Sequence, residues 1–168
     1  MRGGTGGEVT LEWTEAVFDG DVRLRLAASE KGIRAVEFPG DRVMVEPADR
    51  QHSLLKEAIR QLAAYFAGEL RCFDLPLDMV GTEFQLRVWS QLVTIPYGET
   101  RSYAQVARAI GAEKAVRAVG AANGANPVSI VVPCHRVIGS SGRLVGYGGG
   151  LPLKRRLLEL EQGGSLRL

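Results

Sequence analysis

The amino-acid sequence predicts an α+β fold in two parts, a small antiparallel sheet with one helix followed by a mainly helical part. Three observations support this prediction. Over the first 45 residues apolar residues alternate with polar ones, the period of β-strands, and from residue 51 their spacing becomes helical. An extended connector then follows near residues 72–81. We therefore expect an N-terminal subdomain over residues 1–78 and a C-terminal subdomain over residues 79–168.

The N-terminal sheet is expected to be a meander of three antiparallel strands. Two segments of turn-forming residues, Asp19-Gly20-Asp21 and Glu30-Lys31-Gly32, separate three short alternating runs. The apolar positions of these runs are Val9, Leu11 and Trp13, then Val22, Leu24 and Leu26, then Ile33, Val36 and Phe38.

A helix is predicted over residues 51–68, with an extended connector after it. Its apolar stripe consists of Leu55, Ile59, Leu62 and Phe66, and Gly68 is expected to end it. Residues 72–77, which include Pro76, are typical of extended chain. Within them we expect Cys72 to be a small buried apolar residue beside Phe73.

The C-terminal part begins with three predicted helices. Thr82 and Gln85 have the spacing of a capping box, and Pro96-Tyr97-Gly98 ends the helix that they open. A second helix should begin after Ser102 and end at Gly111, and a third should run from about residue 113 to residue 122. The second and third helices form a predicted helix-turn-helix, an arrangement that places a helix in a DNA groove. Almost all residues of the third helix are small, which would let it approach another surface closely.

Basic residues are concentrated in the second half of the chain. Residues 101–156 contain nine Lys or Arg against one acid, Glu113, although the net charge of the whole chain is only +2. Such a segment favours contact with a polyanion, and a solvated basic face is the alternative.

The composition argues against several other classes of protein. No stretch approaches the roughly 20 apolar residues of a membrane span, and the N-terminus lacks the apolar core of a secretory signal, so we expect a cytoplasmic protein. The two cysteines and two histidines lack the spacing of a zinc site. No phosphate loop or dinucleotide fingerprint is present. We therefore expect neither a metal nor a cofactor.

A thiol beside an imidazole is the strongest candidate for chemistry. The apolar run at residues 128–132, a predicted strand, leads through Pro133 to Cys134 and would hold the thiol in a fixed position. A reactive cysteine must become a thiolate, and His135 could accept its proton directly or through a water. Glu161 is the best candidate to orient that imidazole. A buried cysteine beside a hydrogen-bonded histidine would produce the same dipeptide.

The order of these motifs resembles one protein family. The helix-turn-helix, the small-residue helix with Arg117, Asn126-Pro127, the PCHRV segment at residues 133–137 and the glycine loop after Tyr147 follow one another as in O6-alkylguanine-DNA alkyltransferases, also called methylated-DNA–protein-cysteine methyltransferases. The resemblance is dense from about residue 84 to residue 161 and looser before that. It implies a ribonuclease-H-like α/β N-terminal subdomain. It also implies DNA repair by direct reversal, in which a nucleotide is flipped out and its O6-alkyl group moves irreversibly to Cys134.

The resemblance also implies roles for individual residues. Cys134 would accept the alkyl group, and His135 and Glu161 would activate it through a bridging water. Tyr103 would donate a hydrogen bond to the guanine, and Asn126 would be the hinge between the DNA-reading helices and the active-site segment. The implied DNA contacts are Arg117, which would fill the gap left by the flipped nucleotide, with Ala118, Gly120, Ala121, Ser102 and Lys114. The implied walls of the base pocket are the Val137 carbonyl, Tyr147, Gly148 and Gly149.

The resemblance further implies a single-turnover suicide enzyme, a monomer that binds double-stranded DNA through the minor groove without a cofactor. It leaves activity on O4-alkylthymine and cooperative binding to DNA open. Gly148 stands where some relatives have serine, so a roomier pocket is expected.

The residues favour the transferase over three other interpretations. Cys134 argues against a non-catalytic binder of alkylated DNA. The small residues at 115–120 argue against a transcription regulator, which would need polar side chains to read base edges. A thiol hydrolase would need direct contact between Cys134 and His135, which is awkward for neighbours on one strand because they point to opposite faces.

Overall fold

The computed structural model describes residues 9–40, 52–164 and 166, and it confirms the predicted α+β fold. Strands β1 (Glu12–Phe18), β2 (Val22–Ser29) and β3 (Gly32–Glu37) form an antiparallel sheet in the order β1-β2-β3. The register pairs Glu12 with Ala28 at one end and Phe18 with Val22 at the other. Both turns therefore lie where they were expected. Strand β1 begins later than predicted, and Val9 is exposed outside it.

Helix α1 (Ser53–Phe66) covers one face of this sheet. Its predicted stripe is buried at Leu55, Leu62 and Phe66, and the ring of Phe66 stacks on that of Phe18 with centroids 5.6 Å apart. Gly68 follows with a positive φ of 75°, where a glycine costs least and a helix readily ends. Residue 51, where the predicted helix began, lies outside the described residues.

The C-terminal part contains helices α2 (Glu83–Val93), α3 (Tyr103–Ala109), α4 (Val116–Gly124) and α5 (Leu151–Glu161). Thr82 caps α2 with the reciprocal bonds of the predicted capping box, and Ser102 caps α3 in the same way. Helix α4 begins at Val116, later than predicted, because residues 112–115 form a turn in which the Ala115 amide donates to the Ala112 carbonyl.

The segment before Cys134 was predicted as a strand, and that prediction is wrong. The segment makes one bridge to the outer edge of the sheet, where the Val36 amide donates to the Pro127 carbonyl and the Ser129 amide to the Val36 carbonyl. The chain then turns back on itself at Ile130, whose φ is +72°, and the Val132 amide donates to the Val128 carbonyl. Because these bonds close within the segment, it cannot continue the sheet.

A single 3₁₀ turn (Cys134–Arg136) follows this segment and leads into β5 (Val137–Ile138). Strand β5 pairs in parallel with β4 (Arg101–Ser102), immediately before α3. The segment that contains Cys134 is therefore bonded to the edge of the sheet on one side, through Val36, and to the strand before α3 on the other.

The connector between the two parts lies against the sheet. The Ile33 amide donates to the Pro76 carbonyl, and the Asp78 amide donates back to the Ile33 carbonyl. Cys72 is exposed, so the expectation that it would be buried is wrong. The next residue, Phe73, is the one whose ring packs near Tyr65. One apolar cluster continues through both parts of the molecule. None of the described helices is long and apolar enough to cross a membrane.

Candidate active site

Cys134 lies at the start of the 3₁₀ turn and lines a cavity of about 540 Å³. Cys134 is only 5% exposed, so a reactant must enter the cavity to reach the sulfur. The cavity is also lined by Tyr103 at the start of α3, Arg117 in α4 and Tyr147 in the loop before α5. A buried nucleophile, a basic side chain and two phenols therefore line the same cavity.

His135 is buried beside Glu161 of α5, and its Nε2 lies 2.7 Å from the Glu161 Oε1. Since a carboxylate can only accept, Nε2 carries the proton and Nδ1 presents a lone pair. Nδ1 is buried and has no hydrogen-bond partner in the described structure. The imidazole is thus in the tautomer that can take a proton from elsewhere.

The objection that neighbouring strand residues point apart does not apply to Cys134 and His135. Both lie in the 3₁₀ turn, where successive side chains do not alternate between two faces. This removes the geometric argument that was raised against a direct contact between the thiol and the imidazole.

Glu161 accepts hydrogen bonds from four residues although its side chain is fully buried. Arg136 binds both oxygens, with Nε 2.9 Å from Oε2 and Nη2 3.0 Å from Oε1. The Tyr65 hydroxyl donates to Oε1 at 2.7 Å, and the Gly98 amide donates to Oε2 at 3.3 Å. With His135, these donors compensate a charge that would otherwise be costly to bury.

The electrostatics of the site favour neutral Cys134 and His135 around an ionised Glu161. Burial raises the pKa of Glu161, but the hydrogen bonds from His135 and Arg136 and the positive charge of Arg136 outweigh burial and hold that pKa well below its ordinary 4.5. Burial lowers the pKa of His135 below its ordinary 6.5, against the opposing effect of Glu161. Burial also raises the pKa of the Cys134 thiol. A thiolate must therefore be produced by proton transfer within the site.

The loop before α5 is fastened by a buried lysine. Lys154 is fully buried, and its Nζ donates to the Val137 carbonyl at 2.6 Å and to the Val145 carbonyl at 3.2 Å. Burial lowers the pKa of Lys154 to about 8. The Tyr103 hydroxyl also donates to the Val145 carbonyl, at 3.1 Å. The lysine therefore ties the loop to β5, and Tyr103 already has a partner that it must leave to bind a base.

Two asparagines support the backbone around Cys134. The Asn126 side-chain amide donates to the Val132 carbonyl at 2.8 Å, and its oxygen accepts from the Val128 amide. Asn123, buried in α4, donates to the Cys134 carbonyl at 3.4 Å. Asn126 thus clips together the turn that replaces the predicted strand.

The residues expected to contact DNA lie in or next to α3 and α4. The exposed members are Lys114, Arg117, Ala118 and Ala121, and Gly120 and Ser102 are half-buried. Two of the predicted pocket residues, Tyr147 and Gly148, line the cavity that contains Cys134. The other two are not among the residues that line it: the Val137 carbonyl accepts a hydrogen bond from Lys154, and Gly149 lies against the ring of Phe38.

Four residues of the site were not identified from the sequence. These are Tyr65, Arg136 and Lys154, which contact Glu161 or the loop, and Asn123, which supports the Cys134 backbone. Arg136 could have been suspected as a third polar residue in the PCHRV segment. Tyr65 is distant in sequence and carries no local signal. Within the described ranges, no three His, Cys, Asp or Glu side chains come together as metal ligands would.

Comparison with known families gives two matches that together cover most of the chain. Residues 23–79 match the family described as 6-O-methylguanine DNA methyltransferase, ribonuclease-like domain. Residues 83–163 match the family described as 6-O-methylguanine DNA methyltransferase, DNA binding domain.

Individual relatives agree with these matches. The chain is 67% identical over 105 residues to the methylated-DNA–protein-cysteine methyltransferase of Mycobacterium bovis, an alignment that covers 62% of this chain and 64% of that protein. It is 49% identical over 150 residues to the protein of the same name from Methanosarcina acetivorans, covering 87% and 96% of the two chains.

Solved structures of the Mycobacterium tuberculosis protein are also similar. The crystal structure of its O6-methylguanine methyltransferase has a TM-score of 0.81 and 46% identity, covering 94% of this chain and 96% of that one. A crystal structure described as OGT of the same organism in complex with DNA has a TM-score of 0.73 and 52% identity, covering 85% and 88%.

Proposed function

Because the chain belongs to the 6-O-methylguanine DNA methyltransferase family, we propose that it repairs DNA by moving an alkyl group from O6 of guanine to the sulfur of Cys134. One observation carries the proposal: the buried thiol of Cys134 lines a cavity, and the next residue, His135, has an unpartnered Nδ1 on a ring that is held by the bond from Nε2 to Glu161. A nucleophile, a proton acceptor and an orienting carboxylate are the parts that such a displacement needs.

The reaction begins with removal of the thiol proton. His135 accepts it at Nδ1 through a bridging water, and the resulting imidazolium is stabilised by the Glu161 carboxylate at 2.7 Å. The sulfur then attacks the alkyl carbon, so that an S–C bond forms while the C–O6 bond breaks. The electron pair of the broken bond stays on the guanine, which takes up one proton, the equivalent of the one that His135 removed from the thiol, and becomes ordinary guanine. The thioether has no ready leaving group, so each molecule acts once.

Tyr103 assists the departure of the guanine in this proposal. Its hydroxyl lines the cavity and would turn from the Val145 carbonyl to the base as negative charge develops there. Hydrogen bonding that strengthens as charge develops lowers the barrier to displacement. Val145 would remain held by Lys154 after the phenol leaves.

Double-stranded DNA is the proposed partner. The alkyl group of a stacked guanine cannot reach a sulfur that is buried in a cavity, so the nucleotide must be flipped out at a cost of a few kcal/mol. Arg117 is exposed at the same cavity and would fill the vacated space, while the small residues Ala118 and Ala121 would let α4 lie close to the minor groove. A Mycobacterium tuberculosis relative has been crystallised with DNA, which supports this partner.

The remaining parts of the proposal follow from the resemblance and from the site. The protein works as a monomer in the cytoplasm. It needs no cofactor, because the thiol is itself the reagent. We also propose that the subdomain boundary falls in the connector near residues 72–81, and the first family match ending at residue 79 and the second beginning at residue 83 support this position. Gly148 lines the cavity that contains the thiol, and we propose that a residue without a side chain there favours tolerance of larger alkyl groups.

Mass spectrometry tests the proposed function. The full chain is incubated with a duplex containing one O6-methylguanine, and the intact protein and its peptides are weighed. The expected result is a gain of one methylene per molecule, confined to the peptide that contains Cys134. The Cys134→Ala variant should bind the duplex and gain no mass. An unmodified Cys134 after prolonged exposure to excess duplex would refute the proposal.

A further inference from the structure

We propose that Tyr65, a residue of the N-terminal subdomain, is a positioning residue for alkyl transfer because its hydroxyl holds the Glu161 carboxylate against His135. The inference rests on the proposed function, since it concerns the groups that activate Cys134. It adds a role for the N-terminal subdomain in the chemistry itself, beyond packing against the domain that contains the thiol.

The geometry of the Tyr65 hydroxyl is that of a dedicated donor. It lies 2.7 Å from the Glu161 Oε1, the same oxygen that accepts the Nε2 proton of His135 at 2.7 Å. The oxygen of Tyr65 is also 3.5 Å from Nε2 of His135. Because the carboxylate is ionised, the phenol can only donate to it. One carboxylate oxygen is thus held between the phenol and the imidazole.

The ring of Tyr65 is fixed so that its hydroxyl is aimed in advance. The side chain is fully buried in α1, and its ring is 5.5 Å from that of Phe66, 5.4 Å from that of Phe73 and 6.3 Å from that of Tyr97. Burial, and then the charge of Glu161, raise the pKa of Tyr65 far above its usual range. The phenol therefore keeps its proton at any pH at which the protein works.

Sharing of one oxygen has two opposing effects on the reaction. The hydrogen bond from Tyr65 keeps Glu161 in the position that orients His135, which favours proton transfer. The same bond withdraws part of the carboxylate charge that would stabilise the imidazolium. Loss of the hydroxyl should therefore slow alkyl transfer and at the same time raise the pKa of His135.

Other charged and titratable groups around His135 remain when only the hydroxyl is removed. Arg136 and Lys154 both lower the pKa of His135 through their charges. Tyr147 has its ring 6.5 Å from that of His135, and Cys134 precedes it in the turn. Tyr97 packs on both Tyr65 and Arg136. Since Tyr65→Phe keeps the ring, these neighbours keep their positions.

The test compares the Tyr65→Phe and Tyr97→Phe variants with the unmodified full chain. Tyr97→Phe is the matched control, because it removes a phenol hydroxyl from the same ring cluster, and none of the bonds to Glu161 in the described structure comes from that hydroxyl. The rate constant of alkyl transfer to Cys134 from free O6-benzylguanine is measured from about pH 5 to about pH 9. Thermal unfolding shows that each variant is folded.

The expected result is a three- to tenfold lower rate for Tyr65→Phe at neutral pH, on the order of one lost hydrogen bond. The acid limb of its pH profile should lie about half a pH unit higher than that of the unmodified protein. Tyr97→Phe should change neither. A ¹⁵N NMR titration of His135, one of only two histidines in the chain, provides a second readout of the same upward shift.

Each other outcome is decisive. The inference is overturned if Tyr65→Phe has the same rate constant and pH profile as Tyr97→Phe. It is also overturned if the rate constant falls equally at every pH without a shift of the acid limb, which would mean a purely structural role. Should Tyr65→Phe not fold, the unmodified protein still decides: its Tyr65 hydroxyl proton must be protected from exchange, and rapid exchange overturns the inference. Failure of the unmodified chain to transfer the alkyl group would instead refute the proposed function.

Discussion

Replacement of Glu161 by glutamine should both destabilise the protein and stop alkyl transfer. The change keeps the size of the side chain but removes the charge that Arg136 and His135 face. The Arg136 side chain is 7% exposed, so its guanidinium would remain buried without an anion. One oxygen that accepts hydrogen bonds would also become a donating NH₂ group.

Two independent arguments agree on the magnitude. Removal of one partner from a buried ion pair costs about 3–5 kcal/mol of unfolding free energy. The pKa of Glu161 is held at about 2 instead of 4.5, and a depression of this size corresponds to about 3 kcal/mol at neutral pH. We therefore expect Glu161→Gln to lower the unfolding free energy by about 3–5 kcal/mol.

The pH dependence of this loss has a definite sign. Since the pKa of Glu161 is lower in the folded than in the unfolded protein, its stabilisation is complete above the ordinary value of 4.5. It disappears as the pH falls from there towards 2. The difference between the unmodified protein and Glu161→Gln should therefore be constant near neutral pH and shrink in that acidic window.

Urea unfolding at several pH values measures this difference. Glu159→Gln is the control, because Glu159 lies in the same helix, is 40% exposed and is 4.0 Å from Arg155, so its loss should cost less than about 0.5 kcal/mol. Transfer from O6-benzylguanine is measured alongside. If Glu161→Gln unfolds at the same urea concentration as Glu159→Gln, the hydrogen bonds that converge on Glu161 do not have the energetic role assigned to them.

Three further predictions concern the connector, the DNA face and the loop. A Cβ on Gly32 would lie 2.6 Å from the Pro76 carbonyl oxygen, so Gly32→Ala should lower the unfolding free energy by about 2–4 kcal/mol in urea titrations. Gly124→Ala is the control and should have little effect, because a Cβ there would have nothing within 4 Å. Similar unfolding free energies for the two variants would contradict this prediction. Arg117→Ala should slow repair of a duplex at least about tenfold more than reaction with free O6-benzylguanine, and equal slowing of both would remove its assignment as the residue that replaces the flipped nucleotide. The pKa of Lys154 falls from 10.5 to about 8 on folding, so the unfolded chain binds more protons than the folded one between pH 8 and pH 10.5. The stability of the unmodified protein relative to Lys154→Met should therefore rise with pH in that range. A constant difference in stability would argue that the ammonium is not buried as described.

Local signals in the sequence predicted the elements that are stabilised locally. The capping box of Thr82 and Gln85 and the turn at Asp19-Gly20-Asp21 each depend on residues within a few positions of one another. Such patterns contain their own partners, so they can be recognised without the fold. The same holds for the thiol and imidazole of Cys134 and His135, which are adjacent in the chain.

The wrong and missing predictions concern residues whose structure depends on partners that are distant in the sequence. The apolar run at 128–132 has the composition of a strand, but its hydrogen bonds close on themselves after a single bridge to Val36, which no local pattern reveals. Cys72 has the character of a core residue and lies outside the core because the connector beside it presents Phe73 instead. Tyr65 meets Glu161 from 96 residues away, so only the folded chain identifies it as part of the site.

Assembly of the site from α1, the 3₁₀ turn and α5 has a consequence for how the protein is made. During translation Cys134 emerges well before Glu161, which lies at the end of α5. Until that helix docks, a nascent chain has neither the anion that orients His135 nor the lysine that fastens the loop. A reagent that can be spent only once would thus lack its activating groups until α5 docks.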